Sequence, residues 1–271
     1  MAGFICPVCR KPLERTEKIY RCPDGHSYDI SKSGYINLLM SQKSGNHGDD
    51  KIMVHARRDF LEKGYYNALR DRISDTVRRF SKDGCTVIDA GCGECFYTSA
   101  ISSGLCEAGI NAEILAIDIS KNALACAKSR GTGIERAVAS IFHIPVQDQS
   151  CDIIVNVFAP FCREEFIRIL KPGGVYIQTI PLEEHLWELK QAVYDRPYKN
   201  AVQDYFIDGF ELVKSSEIRR KITLDSNEDI KNLFMMTPYY YKTSEKDFHK
   251  LDSISSMNVS TEFAVLAFRK K

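Results

Sequence analysis

Apolar positions alternate singly near the start of the chain, then recur every three or four residues, then bunch into short runs separated by helical stretches. Lys18-Ile19-Tyr20-Arg21 and Ser27-Tyr28-Asp29-Ile30 alternate, which predicts two short strands. Residues 41–50 are polar, glycine-bearing and aperiodic, which predicts a loop. His47 within it and His55 beyond it are expected in solvent. Ile52, His55, Ala56, Phe60 and Leu61, then Leu69, Ile73, Val77 and Phe80, fall at helical spacing, and Gly64 divides them into two helices. From residue 85 onward, strands are expected over 85–89, 113–118, 134–138, 152–158 and 175–180. Helices are expected over 97–105, 121–130, 164–170 and 183–194. Two late strands, 211–224 and 262–269, flank a helix over 227–234. Alternating strands and helices predict an α/β fold with a doubly wound, mostly parallel sheet, to which the late pair adds one antiparallel edge strand.

Composition narrows the class without naming it. The 271 residues are 44% hydrophobic and 27% charged, which excludes bulk disorder and a coiled-coil rod. The length suits one large domain preceded by a small one: 1–40, a joining segment 41–84, and 85–271. Formal charge is +1, so total charge announces no nucleic-acid partner. The stretch 57–82 is locally basic, through Arg57, Arg58, Arg78 and Arg79 among others. A solvated helix face is its ordinary reading and a phosphate-contacting face the sharper one. No apolar run reaches the roughly 18 residues that span a bilayer, and the first residues lack a signal-peptide pattern. With ten cysteines, that points to a reducing cytoplasm, where cysteines serve as ligands or small core residues.

The cysteines are concentrated where metal chemistry would need them. Cys6 and Cys9 form C-x2-C, and after twelve residues Cys22 and His26 form C-x3-H. Each pair sits in a tight turn that can point two ligands at one ion, and four such ligands suit zinc. A redox C-x-x-C beside an unrelated Cys and His is the competing reading. Four protein ligands leave no open position for water, so a zinc ion here would be structural. Cys92 and Cys95 share the same short spacing inside a glycine-bearing loop and are read as small filling residues.

Candidate cofactor residues lie at strand ends. Asp89-Ala90-Gly91-Cys92-Gly93 closes the first sheet strand and opens a helix, where glycines let a ligand approach the backbone. Asp118 ends the next strand, 25 residues after Gly93, about where this kind of fold sets an acid against ribose hydroxyls. Lys171-Pro172-Gly173-Gly174 precedes the fifth strand. Together these resemble the Rossmann-like class I S-adenosylmethionine-dependent methyltransferases, except that Cys95 stands where the class often has a third glycine.

The cysteine cluster is followed by further motifs: Gly34-Tyr35-Ile36-Asn37-Leu38-Leu39, Ala56-Arg57-Arg58-Asp59-Phe60-Leu61, Gly64-Tyr65-Tyr66-Asn67, Phe158-Ala159-Pro160, His185-Leu186-Trp187-Glu188-Leu189-Lys190 and Met236-Thr237-Pro238. With them the chain resembles, from Cys6 to about Tyr239, the guanine-N1 methyltransferases of 23S ribosomal RNA, the RlmA family. The resemblance implies a zinc ribbon on Cys6, Cys9, Cys22 and His26 that recognises RNA. It also implies S-adenosylmethionine near Gly93, Glu94, Tyr66 and His185, a 23S rRNA hairpin as substrate, no membrane partner, and a homodimer. From the residues alone Tyr66 reads as a core aromatic and His185 as a solvated helix residue.

Methyl transfer from a sulfonium is chiefly alignment, but guanine N1 carries a proton that must be accepted. Asp49 and Glu164 are the candidate acceptors. Tyr239–Tyr241 could offer a stacking face to an extruded base, although core-edge aromatics are the plainer reading. A small-molecule methyltransferase with a structural ribbon is the alternative, favoured by the near-neutral charge. A non-catalytic binding module is a third reading, opposed by the intact Asp89-Gly91-Gly93 and Asp118.

Overall fold

The computed structural model describes residues 3–40, 48–131, 133–202 and 204–271. His47 and most of the loop expected over 41–50 lie outside them. Near the start, β1 (Glu14–Arg15), β2 (Ile19–Arg21) and β3 (Ser27–Asp29) form a small antiparallel sheet. After β4 (Tyr35–Asn37) come two helices, α1 (Lys51–Glu62) and α2 (Asn67–Phe80). Asp50 starts α1 by accepting from the Met53 amide at 2.8 Å, and Gly64, in left-handed conformation, ends it.

The alternating unit follows: β5 (Thr86–Ala90), α3 (Phe96–Glu107), β6 (Glu113–Asp118), α4 (Lys121–Cys126), β7 (Ile134–Val138), β8 (Cys151–Val157), α5 (Arg163–Ile169), β9 (Leu170–Pro181) and α6 (Trp187–Val193). Then come β10 (Phe210–Leu224), α7 (Asn227–Met235), the short α8 (Glu245–Phe248) and β11 (Met257–Lys270). The large sheet runs β10-β11-β9-β8-β5-β6-β7-β4. One strand is reversed, as the sequence predicts, but it is β11, antiparallel to both β9 and β10, so the reversed strand lies one place in from the edge. The central strands are apolar without alternation because both faces of the sheet are covered. The helix expected over 183–194 is confined to α6, preceded by turns.

Residues 3–40 do not stand apart as a separate bead. β4 pairs in parallel with β7, Ile36 opposite Ala137, and so forms the outer strand of the large sheet. The Ile5 amide donates to the Pro145 carbonyl at 2.8 Å, and the Leu38 amide to that of Val138 at 2.9 Å. Phe4, Leu13, Tyr20, Ile36 and Leu38 are buried in the same apolar cluster as Ile88, Leu115, Phe166 and Tyr176. The helices α1 to α4, with α6 and α7, fill the opposite face. The N-terminal module therefore covers one sheet face together with α5. Among the described residues no helix is long and apolar enough to cross a membrane.

This shared core has a measurable consequence. Trp187 lies in α6, which packs on β11 near the far edge of the sheet. Ile36→Ala should lower stability by about 2–5 kcal/mol, the range for emptying a buried large aliphatic site, as read by Trp187 fluorescence in urea. An unmoved transition would mean that the module folds on its own.

Candidate functional site

Two centres lie at the ends of these elements. In the first, Cys6 and Cys9 flank a turn closed by the Arg10 amide donating to the Cys6 carbonyl at 2.8 Å. Gly25, in left-handed conformation, closes the second turn, its amide donating to Cys22 at 2.9 Å. The ligand atoms of Cys6, Cys9, Cys22 and His26 all lie within 4.8 Å of one another. His26 presents Nδ1, 3.3 Å from the Cys22 sulfur and 3.6 Å from that of Cys6, while the sulfurs of Cys9 and Cys22 are 3.5 Å apart. Zn–S and Zn–N bonds of about 2.3 and 2.0 Å in a tetrahedron give edges of roughly 3.5–3.8 Å, so the set fits zinc. Three thiols and one imidazole complete the shell, which makes the role structural.

The second centre is a cavity of about 630 Å³ over the carboxyl ends of β5 to β9. Its floor is the turn after β5. Gly91 and Gly93 both have positive φ, and a Cβ on Gly91 would lie 2.4 Å from that of Ala159. Cys95 is left-handed as well and is fully buried, so a third glycine would suit this position by conformation and here a small thiol fills it. The amides of Gly91 and Cys92 both donate to the Ile117 carbonyl, binding the turn to β6.

Asp118 accepts from the Gly93 amide at 2.8 Å and the Ser120 amide at 2.7 Å. Burial raises its pKa against these bonds, and each oxygen keeps a lone pair for a further donor. Ser120 caps α4 and donates to the Asp49 carbonyl at 2.9 Å, which lays the 48–50 segment beside the cavity. Asp49 forms an ion pair with Arg57, whose other amino group donates to the Met236 carbonyl at 3.3 Å.

The opposite wall is aromatic. Tyr66 packs edge-on against Phe60 and Phe263, and its buried hydroxyl has no hydrogen-bond partner among the described residues. His185 is 8% exposed, and its Nδ1 accepts from the Glu262 amide at 3.3 Å. Burial, helped by Lys190, depresses its pKa to about 3. The imidazole is thus neutral, with its proton on Nε2, and acts as a donor. Glu94 lines the floor, paired through one oxygen with Arg130 at 2.6 Å and through the other with Arg58 at 3.7 Å.

Residues 4–45 match the family model "RlmA, N-terminal", a zinc ribbon, and residues 81–234 match a methyltransferase domain. The 23S rRNA (guanine(748)-N(1))-methyltransferase of Streptomyces fradiae is 32% identical over 227 residues, 81% of this chain and 79% of its own length. A provisionally named 23S rRNA (guanine-N(1)-)-methyltransferase of Micromonospora griseorubida is 33% identical over 88% of this chain and 86% of its own. A malonyl-[acyl-carrier protein] O-methyltransferase of Yersinia pestis is 28% identical over only 45% of this chain.

This chain belongs to the RlmA family of S-adenosylmethionine-dependent methyltransferases.

The cavity suits the cofactor of that family on chemical grounds. Its glycine floor admits a ligand against the backbone, the Tyr66 hydroxyl is buried without a hydrogen-bond partner among the described residues, and Asp118 keeps lone pairs free beside it. Of the positions singled out in the sequence, Tyr66, Gly91, Gly93, Glu94, Asp118 and His185 all line it. His185 is buried, not solvated, because the turn before α6 folds onto β11. Asp89 is the exception. It lies beneath the turn, 2% exposed, accepting from the Thr98 hydroxyl at 2.5 Å, where it can brace the loop.

Of the two proton acceptors considered, Asp49 lines the cavity. Glu164 projects from the first turn of α5 with its side chain 82% exposed and is not among the lining residues, because its helix packs through Phe166 and Ile169 instead. Of the basic stretch, Arg57 and Arg58 are engaged within the molecule, while Arg78 and Arg79 lie exposed on α2, as on a solvated helix face. Arg57 pairs with Asp49, Arg58 donates to the Cys126 carbonyl and Ser129, and Arg78 pairs with Asp75. Ser140, Phe142 and Pro181 line the cavity without any sequence motif to mark them. Phe158 also lines it, and the Phe158-Ala159-Pro160 motif after β8 was its signal.

Asp118→Ala should weaken S-adenosylmethionine binding by about 1–3 kcal/mol, the cost of leaving buried polar groups unpaired. Gly93→Val should abolish binding, since a β-branched side chain would both strain the left-handed turn and enter the cavity. Normal calorimetric affinity in both variants would contradict the assignment.

Asp89 supplies a pH test. Burial pushes its carboxyl up to about 7, against the lowering effect of Thr98. A folded-state pKa above the unfolded value means that the folded protein binds more protons between about pH 4 and 7, so stability falls as pH rises through that window. Asp89→Asn should remove this slope, and its thermal midpoint should gain on that of the parent from pH 4 to 7. Parallel profiles would contradict it.

Proposed function

We propose that the chain transfers a methyl group from S-adenosylmethionine to N1 of a guanine in a hairpin of 23S ribosomal RNA. The observation that carries this reading is the zinc ribbon built into the edge of a methyltransferase sheet, matched along most of the chain by a relative named for that reaction. β4 runs parallel to β7, so the chain leaves the ribbon at the cavity end of the sheet. The relative named for a malonyl-[acyl-carrier protein] substrate matches 45% of the chain, which favours the RNA reading over the alternative.

Within this reading the described parts take distinct roles. We assign RNA recognition to residues 1–40, a joining role to 41–84 and methyl transfer to 85–271. Cys6, Cys9, Cys22 and His26 hold zinc and fix the shape of the recognition module. S-adenosylmethionine supplies an activated methyl group on a sulfonium. Gly91 and Gly93 let it approach the backbone, Asp118 accepts from ribose hydroxyls, and Tyr66, Glu94 and neutral His185 offer the remaining polar contacts. Asp89 contributes by bracing the turn from below. Asp49, fixed by Arg57 beside the cavity, accepts the proton that leaves guanine N1. Family resemblance further supports a cytoplasmic homodimer.

The test is methylation of a 23S rRNA hairpin transcript followed by mass analysis of its nucleosides. N1-methylguanosine should form, and Asp49→Asn should lower kcat by about 100-fold or more, the usual range for losing a positioned base. Transfer should also weaken steeply with salt, because phosphate contacts release counterions. Methylation at another atom, or turnover of a small metabolite in place of RNA, would contradict the reading.

A further inference from the structure

We infer that Phe158 is the ring on which the target guanine stacks after it leaves its helix. The inference rests on the reading of the chain as a guanine methyltransferase. β8 ends at Val157, and the next residue has φ +56°. A left-handed conformation costs a non-glycine residue about 1–2 kcal/mol, so it persists only where its surroundings hold it. Here they do. The buried Asn156 side chain donates to the Ala90 carbonyl at 3.2 Å and to the Pro160 carbonyl at 3.1 Å. One amide thereby ties the loop after β8 to the end of β5, just before the glycine turn.

The effect of that backbone is to place a phenyl ring on the cavity with 48% of the residue exposed. An exposed apolar residue is ordinary when it stands alone, but this one is held in place by its backbone on the wall of the cavity. The ring is anchored on one side by Phe263, at a centroid distance of 5.6 Å, and Phe263 in turn touches His185 at 4.5 Å. Phe158 therefore stands next to the wall assigned to the cofactor. An extruded base loses its stacking neighbours, and a fixed aromatic face restores part of that loss without reading sequence. Phe142 also lines the cavity, 60% exposed, but among the described residues no ring contact fixes it as Phe263 fixes Phe158. The tyrosines are engaged elsewhere. The Tyr239 ring lies 5.0 Å from the Lys190 ammonium and its hydroxyl donates to Asn200, while the Tyr241 hydroxyl donates to Asp50.

Three variants separate stacking from structure. Phe158→Gly keeps a left-handed backbone at no strain and removes the ring, Phe158→Leu keeps apolar bulk without a π face, and Phe158→Tyr keeps the face. On the hairpin transcript, Gly and Leu should each lower kcat/KM by about 10- to 100-fold, the range for losing one base–aromatic stack, with Tyr within about threefold of the parent. S-adenosylmethionine affinity should stay within about twofold throughout, since uniform cofactor binding does not depend on the ring. With 2-aminopurine at the target position, the parent complex should be quenched by stacking and the Gly complex bright. Full activity in Phe158→Gly would overturn the inference, as would a loss confined to cofactor affinity, which would make the ring a mere prop for Phe263. A parent protein that methylates no guanine in the transcript would instead overturn the substrate reading itself.

Discussion

The site depends on one constraint: at the end of β5 the backbone must reverse sharply and leave no side chain in the space above it. Gly91 meets it because a Cβ there would strike Ala159, and Gly93 meets it with a second positive φ. The turn would be floppy if left alone. It is held by the Gly91 and Cys92 amides on Ile117, by Asp118 on the Gly93 amide, and by Asp89 on Thr98 at the start of α3. Two of these three restraints are carboxylates, Asp89 buried and Asp118 half-buried, each raised in pKa by desolvation. The floor that gives a ligand access is thus rigid at an electrostatic cost, which is a common bargain at functional sites.

The same economy appears at the sheet's outer edge. A strand edge left open invites pairing with other chains, and a sheet face left bare exposes apolar surface. Here the ribbon addresses both, placing β4 beside β7 and burying Phe4, Leu13 and Tyr20 against the sheet. Metal binding and the packing of the catalytic sheet are therefore linked. Loss of zinc would not simply release a tethered module, because residues of that module belong to the common core. The turns that hold the metal and the cavity over the glycine turn are parts of one folded body.

Much of this was legible in the sequence, for reasons that differ by element. The two helices around Gly64 and the central strands declare themselves because amphipathic and fully buried segments have distinct periods. The Cys6–His26 spacing is legible because zinc geometry limits how far apart paired ligands can sit. Asp118 and Gly93 were visible as residues at strand ends. The role of Asp89 under the turn was not, since spacing fixes the strand position of a carboxylate but not which side of a loop it faces. His185 looked like a solvated helix residue until the turn before α6 placed it against β11. Glu164 went the other way: its position after β8 suggested the site, but α5 turns it outward. Phe158 shows a further limit, because a positive φ at a phenylalanine is set by the tertiary hold of Asn156 and leaves no local trace. Arg57 and Arg58 read as a basic face, yet both are used inside the molecule.

The central claim is that the cavity over the glycine turn is where S-adenosylmethionine binds, with the aromatic wall on one side and Asp118 on the other. The most direct measurement is a crystal structure of the full chain with S-adenosylhomocysteine. The account predicts the ligand against Gly91 and Gly93, its ribose hydroxyls on Asp118, and Tyr66 and His185 within contact of it. Density for the ligand elsewhere, such as in the groove between α2 and α3, with the glycine turn uncovered, would contradict it.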